Sequence, residues 1–225
     1  MTRDRQLKDL VYEQFARIGK ALSSPKRIEL LDVLSQGSRH VEALSSLTGL
    51  SIANASQHLQ VLKAARLVES ERMGVQVAYR LASPSVGGFV RGLRLLAEER
   101  LAEIDQTVGT FLKDRERFDP VDREELLRRV RRGEVTVLDV RPEEEYRSGH
   151  LRGALSVPLA NIKARMKDLP EGRDVVAYCR GPYCLMAVEA AEKLRAKGFR
   201  AYRLDLSVTD WRALGFKIEG APGTR

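Results

Sequence analysis

The sequence has little of what marks a secreted or membrane-spanning protein. Its 225 residues include only two cysteines, so the disulfide framework of a small secreted domain is excluded and a reducing compartment is favoured. No apolar run approaches the length of a membrane span. Residues 1–9 are polar and carry both signs of charge, unlike a signal peptide. We therefore expect a cytoplasmic protein that does not associate with a membrane.

Internal repeats and low-complexity tracts are also absent, and the composition is that of a globular protein. Hydrophobic residues make up 43% of the chain, enough for two cores of the usual domain size of about 100–150 residues. A charged run at residues 113–119, followed by Pro120, reads as a linker. We predict one domain over residues 1–116 and a second over 117–225. The net charge of +8 suits a DNA-binding protein but is spread over both halves.

Both cysteines lie in one short loop, residues 178–185, with the sequence Tyr-Cys-Arg-Gly-Pro-Tyr-Cys-Leu. The loop follows an apolar, strand-like run and opens an amphipathic helix over about residues 185–197. Free backbone N–H groups and the positive end of the helix dipole stabilise a thiolate at such a turn. Cys179 is therefore predicted to be acidic and nucleophilic. The alternative is a pair of buried, unreactive cysteines, although Gly181 and Pro182 indicate a shaped loop rather than core.

The segments around this loop resemble the rhodanese (sulfurtransferase) domain over about residues 119–222. The matching segments are residues 137–142, 145–146, 149–154 and 157–159, the cysteine loop, Asp210 with Trp211, and Gly215. The resemblance implies an α/β domain with a central parallel sheet, in which Cys179 carries a covalent persulfide and no other cofactor is needed. It also implies that Arg180, Gly181 and Tyr183 belong to the loop whose amides surround the sulfur, and that Asp139 and Arg141 support it.

Two features depart from the rhodanese pattern. Many active rhodaneses place Arg or Ser in the second half of the loop, where this chain has Tyr183 and Cys184. The family also usually has a Gly-Gly pair before the Trp, where residues 204–207 read Leu-Asp-Leu-Ser. Both differences predict weak turnover of thiosulfate. A second thiol beside a persulfide can instead resolve it into a disulfide or a longer sulfur bridge, so Cys184 is predicted to be the resolving thiol.

The first half of the sequence has the pattern of a winged helix-turn-helix. Pro25 is placed to start a helix, and Val41–Thr48, a Gly49-Leu50 turn and a helix over about residues 51–65 follow. Two strands, residues 67–72 and 75–81, form the predicted wing. The helical spacing predicts that four residues face the core, namely Ile52, Ala55, Leu59 and Leu62. It predicts that Ser51, Asn54, Gln57 and His58 face the DNA, and that Arg72 and Gln76 of the wing touch the DNA backbone.

This half resembles the ArsR/SmtB family of repressors over about residues 7–112. The carrying motifs are residues 21–27, 47–51, 56–62, 67–68 and 79–81. The resemblance implies a mainly α, dimeric, DNA-binding repressor with residues 51–64 as its recognition helix, and Ser56 joins the DNA-contacting set. Metal-sensing relatives carry cysteines before the turn, but here that stretch, residues 39–44, has no thiol. His40 alone cannot build a metal site, so none is expected.

A long amphipathic helix over about residues 89–111, after a predicted loop at residues 84–88, could form the dimer interface together with the first helix. Part of it could instead be an intramolecular core helix.

Together these features predict a homodimeric repressor of operator double-stranded DNA that senses sulfane sulfur through Cys179 and Cys184. Its donor would be a low-molecular-weight persulfide or polysulfide, or thiosulfate. Two alternatives remain open at this point. The second domain could be a working sulfurtransferase with a DNA-binding regulatory half, or the two thiols could bind arsenite or a thiophilic metal.

Overall fold

The computed structural model describes residues 2–74, 76–112, 123–170 and 172–220. By its internal contacts the chain divides into two units, Met1–Val90 and Arg91–Arg225. The predicted linker and the predicted boundary between residues 116 and 117 lie outside the described residues, so both stay predictions.

The first unit contains helices and one small antiparallel sheet. Its elements are α1 (Arg3–Leu22), α2 (Pro25–Ser35), β1 (Arg39–His40), α3 (Val41–Thr48), α4 (Ile52–Ala64), β2 (Val68–Met73), β3 (Gln76–Leu81) and α5 (Pro84–Arg100). The strand order in the sheet is β1-β3-β2. Helix α5 begins in the first unit and ends in the second.

The tight turn between α3 and α4 is set by two residues. Gly49 ends α3 in the left-handed conformation, with φ of 64°, which glycine adopts without steric cost. Ser51 then caps α4, because its hydroxyl accepts a hydrogen bond from the backbone N–H of Asn54. Leu44, Leu59 and other leucines of α2 to α4 fill the core between them. The predicted helix-turn-helix and its wing, the β2–β3 hairpin, are confirmed.

Two local expectations for this unit are wrong. Ile52 was predicted to face the core, but it is 52% exposed because it is the first residue of α4 and lies at the edge of the packed surface. Residues 84–88 were predicted to be a loop, but Pro84 starts α5, since proline fits the first turn of a helix. The long predicted helix is also divided at Leu101 into α5 and α6.

The second unit is an α/β fold around a parallel sheet, as predicted. Its elements are α6 (Ala102–Leu112), α7 (Arg123–Arg131), β4 (Thr136–Asp139), α8 (Glu143–Ser148), β5 (His150–Leu151), β6 (Leu155–Ser156), α9 (Ile162–Arg165), β7 (Val175–Tyr178), α10 (Met186–Arg195), β8 (Ala201–Leu204), α11 (Val208–Ala213) and β9 (Ile218–Glu219). The strand order in the parallel sheet is β6-β4-β7-β8. Short 3₁₀ turns precede and follow α9, and β5 pairs with β9 in a separate two-stranded sheet.

Strand β7 is buried on both faces, which is typical of a central strand in a parallel sheet. Val175 and Ala177 belong to the core on one face, while Val176 and Tyr178 belong to the core on the other. The strand ends directly at Cys179. The carboxyl ends of parallel strands are where α/β folds commonly bind ligands, so β7 delivers the cysteine loop to that edge.

A buried polar network holds the carboxyl ends of β4 and β7. Arg141 donates to Asp139, with 2.6 Å between Nη2 and Oδ2, and both side chains are fully buried. Tyr178 donates its hydroxyl to Asp139 Oδ2 at 2.7 Å and accepts from the backbone N–H of Leu151 at 3.0 Å. Burial, followed by the nearby charge of Asp139, raises the pKa of Tyr178. Asp139 and Arg141 therefore lie where a supporting role requires them.

Replacing Asp139 by Asn should lower the free energy of unfolding by about 3 kcal/mol or more, because the fully buried Arg141 guanidinium loses its closest carboxylate and keeps only Glu145, 3.9 Å from Nη1. Urea unfolding of purified protein measures this. Glu143→Gln is the control: it removes a surface pair with Arg147 and should cost less than about 1 kcal/mol. Equal losses in the two variants would contradict the importance of the buried pair.

Candidate functional site

The outward face of α4 carries the side chains predicted to meet DNA. Asn54 and Gln57 are exposed and three residues apart, so they lie on one face of the helix. His58 and Ser56 are half-buried, which leaves them less of their surface for a partner. The exposed Ser51 uses its hydroxyl oxygen to accept from Asn54 N at 3.2 Å. Its first role is therefore the helix cap, and its hydroxyl proton stays available to donate.

The wing presents its predicted residues at the tip. Arg72 and Gln76 are both exposed, on either side of a turn in which Gly74 has φ of 65°. Arg72 Nε donates to the Gly74 carbonyl at 3.3 Å, which orients the guanidinium along the turn. The wing is joined to α4 by Lys63, whose Nζ donates to the Ser70 hydroxyl at 2.7 Å. Because this contact fixes the hairpin against α4, both can approach one duplex together.

The cysteine loop connects β7 to α10 and holds two free thiols of different exposure. Cys179 is 1% exposed and packs within the core beside Ala187. This corrects the expectation that the loop has no core character, since the thiol follows the buried strand directly. Cys184 is half-buried. Cys179 Sγ lies 3.3 Å from the Cys184 carbonyl oxygen, and Cys184 N donates to the Gly181 carbonyl at 3.2 Å.

Gly181 allows this tight path, because its φ of 128° lies in a region that side chains rarely adopt. A Cβ at this position would lie 3.6 Å from the Cβ of Ser207, so the loop also packs closely on the start of α11.

The ionisation of the two thiols is the reverse of what the sequence predicts. A hydrogen bond from the Cys179 thiol lowers the pKa of Cys184 to about 6; burial opposes this, while the backbone N–H groups of Arg180 and Met186 and the Arg180 charge support it. The same bond, with burial, raises the pKa of Cys179. These directions favour Cys184 over Cys179 as the more acidic thiol, against the expectation from the sequence.

Arg180 is held by a carboxylate that the sequence analysis did not include in the site. Its Nε lies 3.1 Å from both oxygens of Glu145, and its Nη2 lies 2.6 Å from Oε1. The Glu145 side chain is buried. Its signal in the sequence was only its place three residues after Pro142 in a matched segment. Because Glu145 already balances the charge of Arg180 and Cys184 adds a negative charge, the loop is poorly suited to a dianion such as thiosulfate.

Tyr183 points away from the buried thiol and is 53% exposed. Its hydroxyl donates to Glu98 Oε1 at 2.7 Å. Together with two loop neighbours and one face of α6, it borders a largely apolar cavity of about 680 Å³. The lining residues are Leu101, Glu103, Ile104, Thr107, Val108, Phe111, Pro182, Tyr183 and Leu185.

Among the described residues, no group of three or more His, Cys, Asp or Glu side chains is arranged to hold a metal ion. In the same part of the chain, no helix is both long and apolar enough to cross a membrane.

Comparison with known proteins agrees with this two-part architecture. The bacterial regulatory protein arsR family matches residues 24–70, and the rhodanese-like domain family matches residues 122–214. The HTH-type transcriptional regulator Rv0324 of Mycobacterium tuberculosis (strain ATCC 25618 / H37Rv) is 43% identical over 216 residues, which cover 96% of this chain and 95% of that protein.

Two further similarities each cover one part of the chain. A sulfurtransferase of Allochromatium vinosum is 31% identical over 105 residues, 46% of this chain and 96% of that one. A homodimeric winged helix-turn-helix DNA-binding domain of Mycobacterium bovis, solved by NMR, is 40% identical, with a TM-score of 0.42 over 45% of this chain and 92% of that one.

A winged helix-turn-helix followed by a rhodanese-like domain defines a DNA-binding transcriptional regulator whose C-terminal domain has the fold of a sulfurtransferase. The chain belongs to the arsR family of HTH-type transcriptional regulators and carries a rhodanese-like domain. The family expected from the sequence is confirmed.

Iodoacetamide should alkylate Cys184 faster than Cys179, because Cys184 is both the more exposed and the more acidic thiol. A thiolate forms as pH rises above the pKa, so the Cys184 rate should rise with a midpoint near pH 6. Peptide mass spectrometry over pH 5–9 measures both rates. In Cys179→Ala the hydrogen-bond donor is lost and the midpoint should move up. Preferential labelling of Cys179 would contradict this assignment.

Replacing Gln57 and His58 together by Ala should weaken specific operator binding at least tenfold, since each good base contact contributes about 1–3 kcal/mol. Binding to a random-sequence duplex at the same salt concentration should change little, because it depends on phosphate contacts. Fluorescence anisotropy with both duplexes gives the ratio. Unchanged specific binding by the double variant would remove residues 51–64 as the recognition helix.

Proposed function

We propose that the protein is a cytoplasmic, homodimeric repressor whose affinity for operator DNA changes when sulfane sulfur reacts with Cys179 and Cys184. One observation carries the proposal. Two free thiols lie in one loop at the carboxyl end of β7, where Cys179 Sγ is 3.3 Å from the Cys184 carbonyl oxygen and the pKa of Cys184 is lowered to about 6. Such a pair is poised for thiol–persulfide exchange.

The first proposed step loads sulfur onto Cys179. The Cys184 thiolate takes the proton of the Cys179 thiol as the Cys179 sulfur attacks the outer sulfur of a low-molecular-weight persulfide, RS–SH. The S–S bond of the donor breaks, RS⁻ leaves, and Cys179 becomes a persulfide. The closeness of the two cysteines supports this step, since Cys179 Sγ lies 3.3 Å from the Cys184 carbonyl oxygen and the pKa of Cys184 is lowered.

The second proposed step closes a bridge. RS⁻ takes the proton from Cys184 and leaves as RSH, and the restored Cys184 thiolate attacks the Cys179 sulfur. A Cys179–Cys184 disulfide forms and HS⁻ departs, so two thiols are oxidised and one sulfane sulfur is reduced to sulfide. Longer polysulfides would leave additional sulfur atoms in the bridge. The bridge persists until a reductant opens it, which suits a switch.

The proposed DNA-bound form is a dimer with one α4 in the major groove of each half-site, about one helical turn apart. Apolar side chains on α1 and α5 support the dimer, because large exposed apolar surfaces commonly mark protein interfaces. The exposed residues are Leu7, Leu10, Val11 and Phe15 on α1 and Phe89, Leu95 and Leu96 on α5.

A sulfurtransferase acting on thiosulfate is the second candidate, and it is favoured by the similarity of the second domain to the Allochromatium vinosum sulfurtransferase. The charge of the loop weighs against it. Arg180 is already paired with Glu145, and the Cys184 thiolate repels an approaching dianion. We therefore propose weak thiosulfate turnover and sensing as the main role.

Polysulfide should convert the wild-type protein to a Cys179–Cys184 bridge and shift its operator affinity at least fivefold, a usual size for coupling between two sites. Cys184→Ser should still gain sulfur on Cys179, more slowly because it lacks the thiolate that takes the Cys179 proton, and it should fail to close the bridge, so its DNA response should be weaker or short-lived. Cys179→Ser should lose both. Intact-mass spectrometry beside an operator-binding assay measures each state.

If Cys184→Ser responds on DNA as the wild type does, and thiosulfate turnover with cyanide is brisk, the sensor proposal fails and the sulfurtransferase takes its place. Stoichiometric binding of As(III) with operator release, without any response to polysulfide, would favour the thiophilic-ion alternative.

A further inference from the structure

Three charged residues on the last half of α5 lie on one face of the helix. Arg91, Arg94 and Glu98 are spaced by three and four positions, the spacing of neighbours on a helical surface. All three belong to the second unit. The side chains on this face form hydrogen bonds with two residues of the rhodanese-like domain, Asp210 and Tyr183.

Asp210 is the buried end of the contact. Its Oδ1 accepts from Arg91 Nε at 2.8 Å and from Arg94 Nη2 at 2.5 Å, and its side chain is 2% exposed. Its Oδ2 accepts from the backbone N–H and the hydroxyl of Ser207, at 2.9 and 2.6 Å. Burial alone would raise the pKa of Asp210, but the Ser207 hydrogen bonds and the two guanidinium groups lower it. The carboxylate is therefore ionised and fully engaged.

Tyr183 is the exposed end of the contact and belongs to the cysteine loop. Its hydroxyl donates to Glu98 Oε1, and the same oxygen lies 3.5 Å from Arg94 Nη1. Arg94 thus contacts both carboxylates at once. The loop also reaches Asp210 by a second path, because Gly181 packs on Ser207.

We infer that Tyr183, Glu98, Arg94 and Asp210, here called the α5 relay, position the cysteine loop and transmit its state to helix α5. The inference rests on the proposed function and adds the way in which the sulfur site is coupled to DNA binding. Tyr183 directly precedes Cys184, so a backbone adjustment that draws Cys184 into a bridge also moves the tyrosine ring away from Glu98.

The relay can affect DNA binding because the first turns of α5 pack in the core that supports the recognition helix. Val90 is part of the core that also contains Leu59 and Leu62 of the recognition helix, and Val86 packs against that core. A change in how Arg94 and Glu98 are held therefore acts on a helix whose first turns support α4. Packed cores respond to such shifts by changing between discrete arrangements.

Thermodynamic linkage supplies a test that needs no sulfur donor: if the loop affects DNA binding, DNA must affect the loop. We expect a duplex selected by the purified protein from a random-sequence pool to change the iodoacetamide labelling rate of Cys184 in the reduced, full-length protein roughly fivefold or more. Tyr183→Phe and Glu98→Gln should each label at the same rate with and without the duplex. Glu99→Gln, one residue along the helix with its partner Arg100, is the matched control and should respond as the wild type does.

The variants should unfold at the same temperature as the wild type, because the Tyr183–Glu98 hydrogen bond is exposed and contributes little to stability. A wild-type labelling rate that the duplex leaves unchanged overturns the relay, and so does a wild-type response in Tyr183→Phe and Glu98→Gln. Failure of the proposed function is a separate result, because it would appear as polysulfide-treated wild-type protein without a bridge or without a change in operator affinity.

Discussion

The site depends on the buried ion pair between Asp139 and Arg141. Asp139 ends β4, and its carboxylate accepts from both Arg141 and the hydroxyl of Tyr178, the last residue of β7. Because Cys179 follows Tyr178 directly, the pair determines where the loop leaves the sheet. The sheet supplies rigidity and the loop supplies chemistry, which is the usual division in parallel α/β folds.

The two thiols differ in burial and in acidity. Cys179 is closed into the core and keeps its proton, while Cys184 lies nearer the solvent and holds the charge. The adjacent guanidinium of Arg180 is committed to Glu145. A site of this kind favours transfer of sulfur between thiols over capture of a dianion. The DNA-binding half has no cysteine of its own, so in the proposed function it responds to the thiols of the second domain.

The parts of the structure that depend on local pattern were predictable. The spacing through Gly49 predicted the helix-turn-helix, and the apolar run Val175–Tyr178 predicted a buried strand that leads into the cysteine loop. The misses at the site depend on burial and on contacts between side chains. The acidity of the two thiols follows from their burial and from their closeness in the folded loop, neither of which is visible in the spacing of Cys179 and Cys184. Glu145 meets Arg180 across 35 positions and Glu98 meets Tyr183 across 85, so no local pattern reports either contact.

In the proposed function, the redox state of the two thiols controls the affinity for operator DNA. Native mass spectrometry of the protein–operator complex, before polysulfide, after it and after a reductant, records the bridge and the bound fraction in one spectrum. We expect the bound fraction to change with the appearance of the Cys179–Cys184 bridge and to return when the bridge is reduced. A bridge that forms and is reduced while the bound fraction stays constant would contradict it.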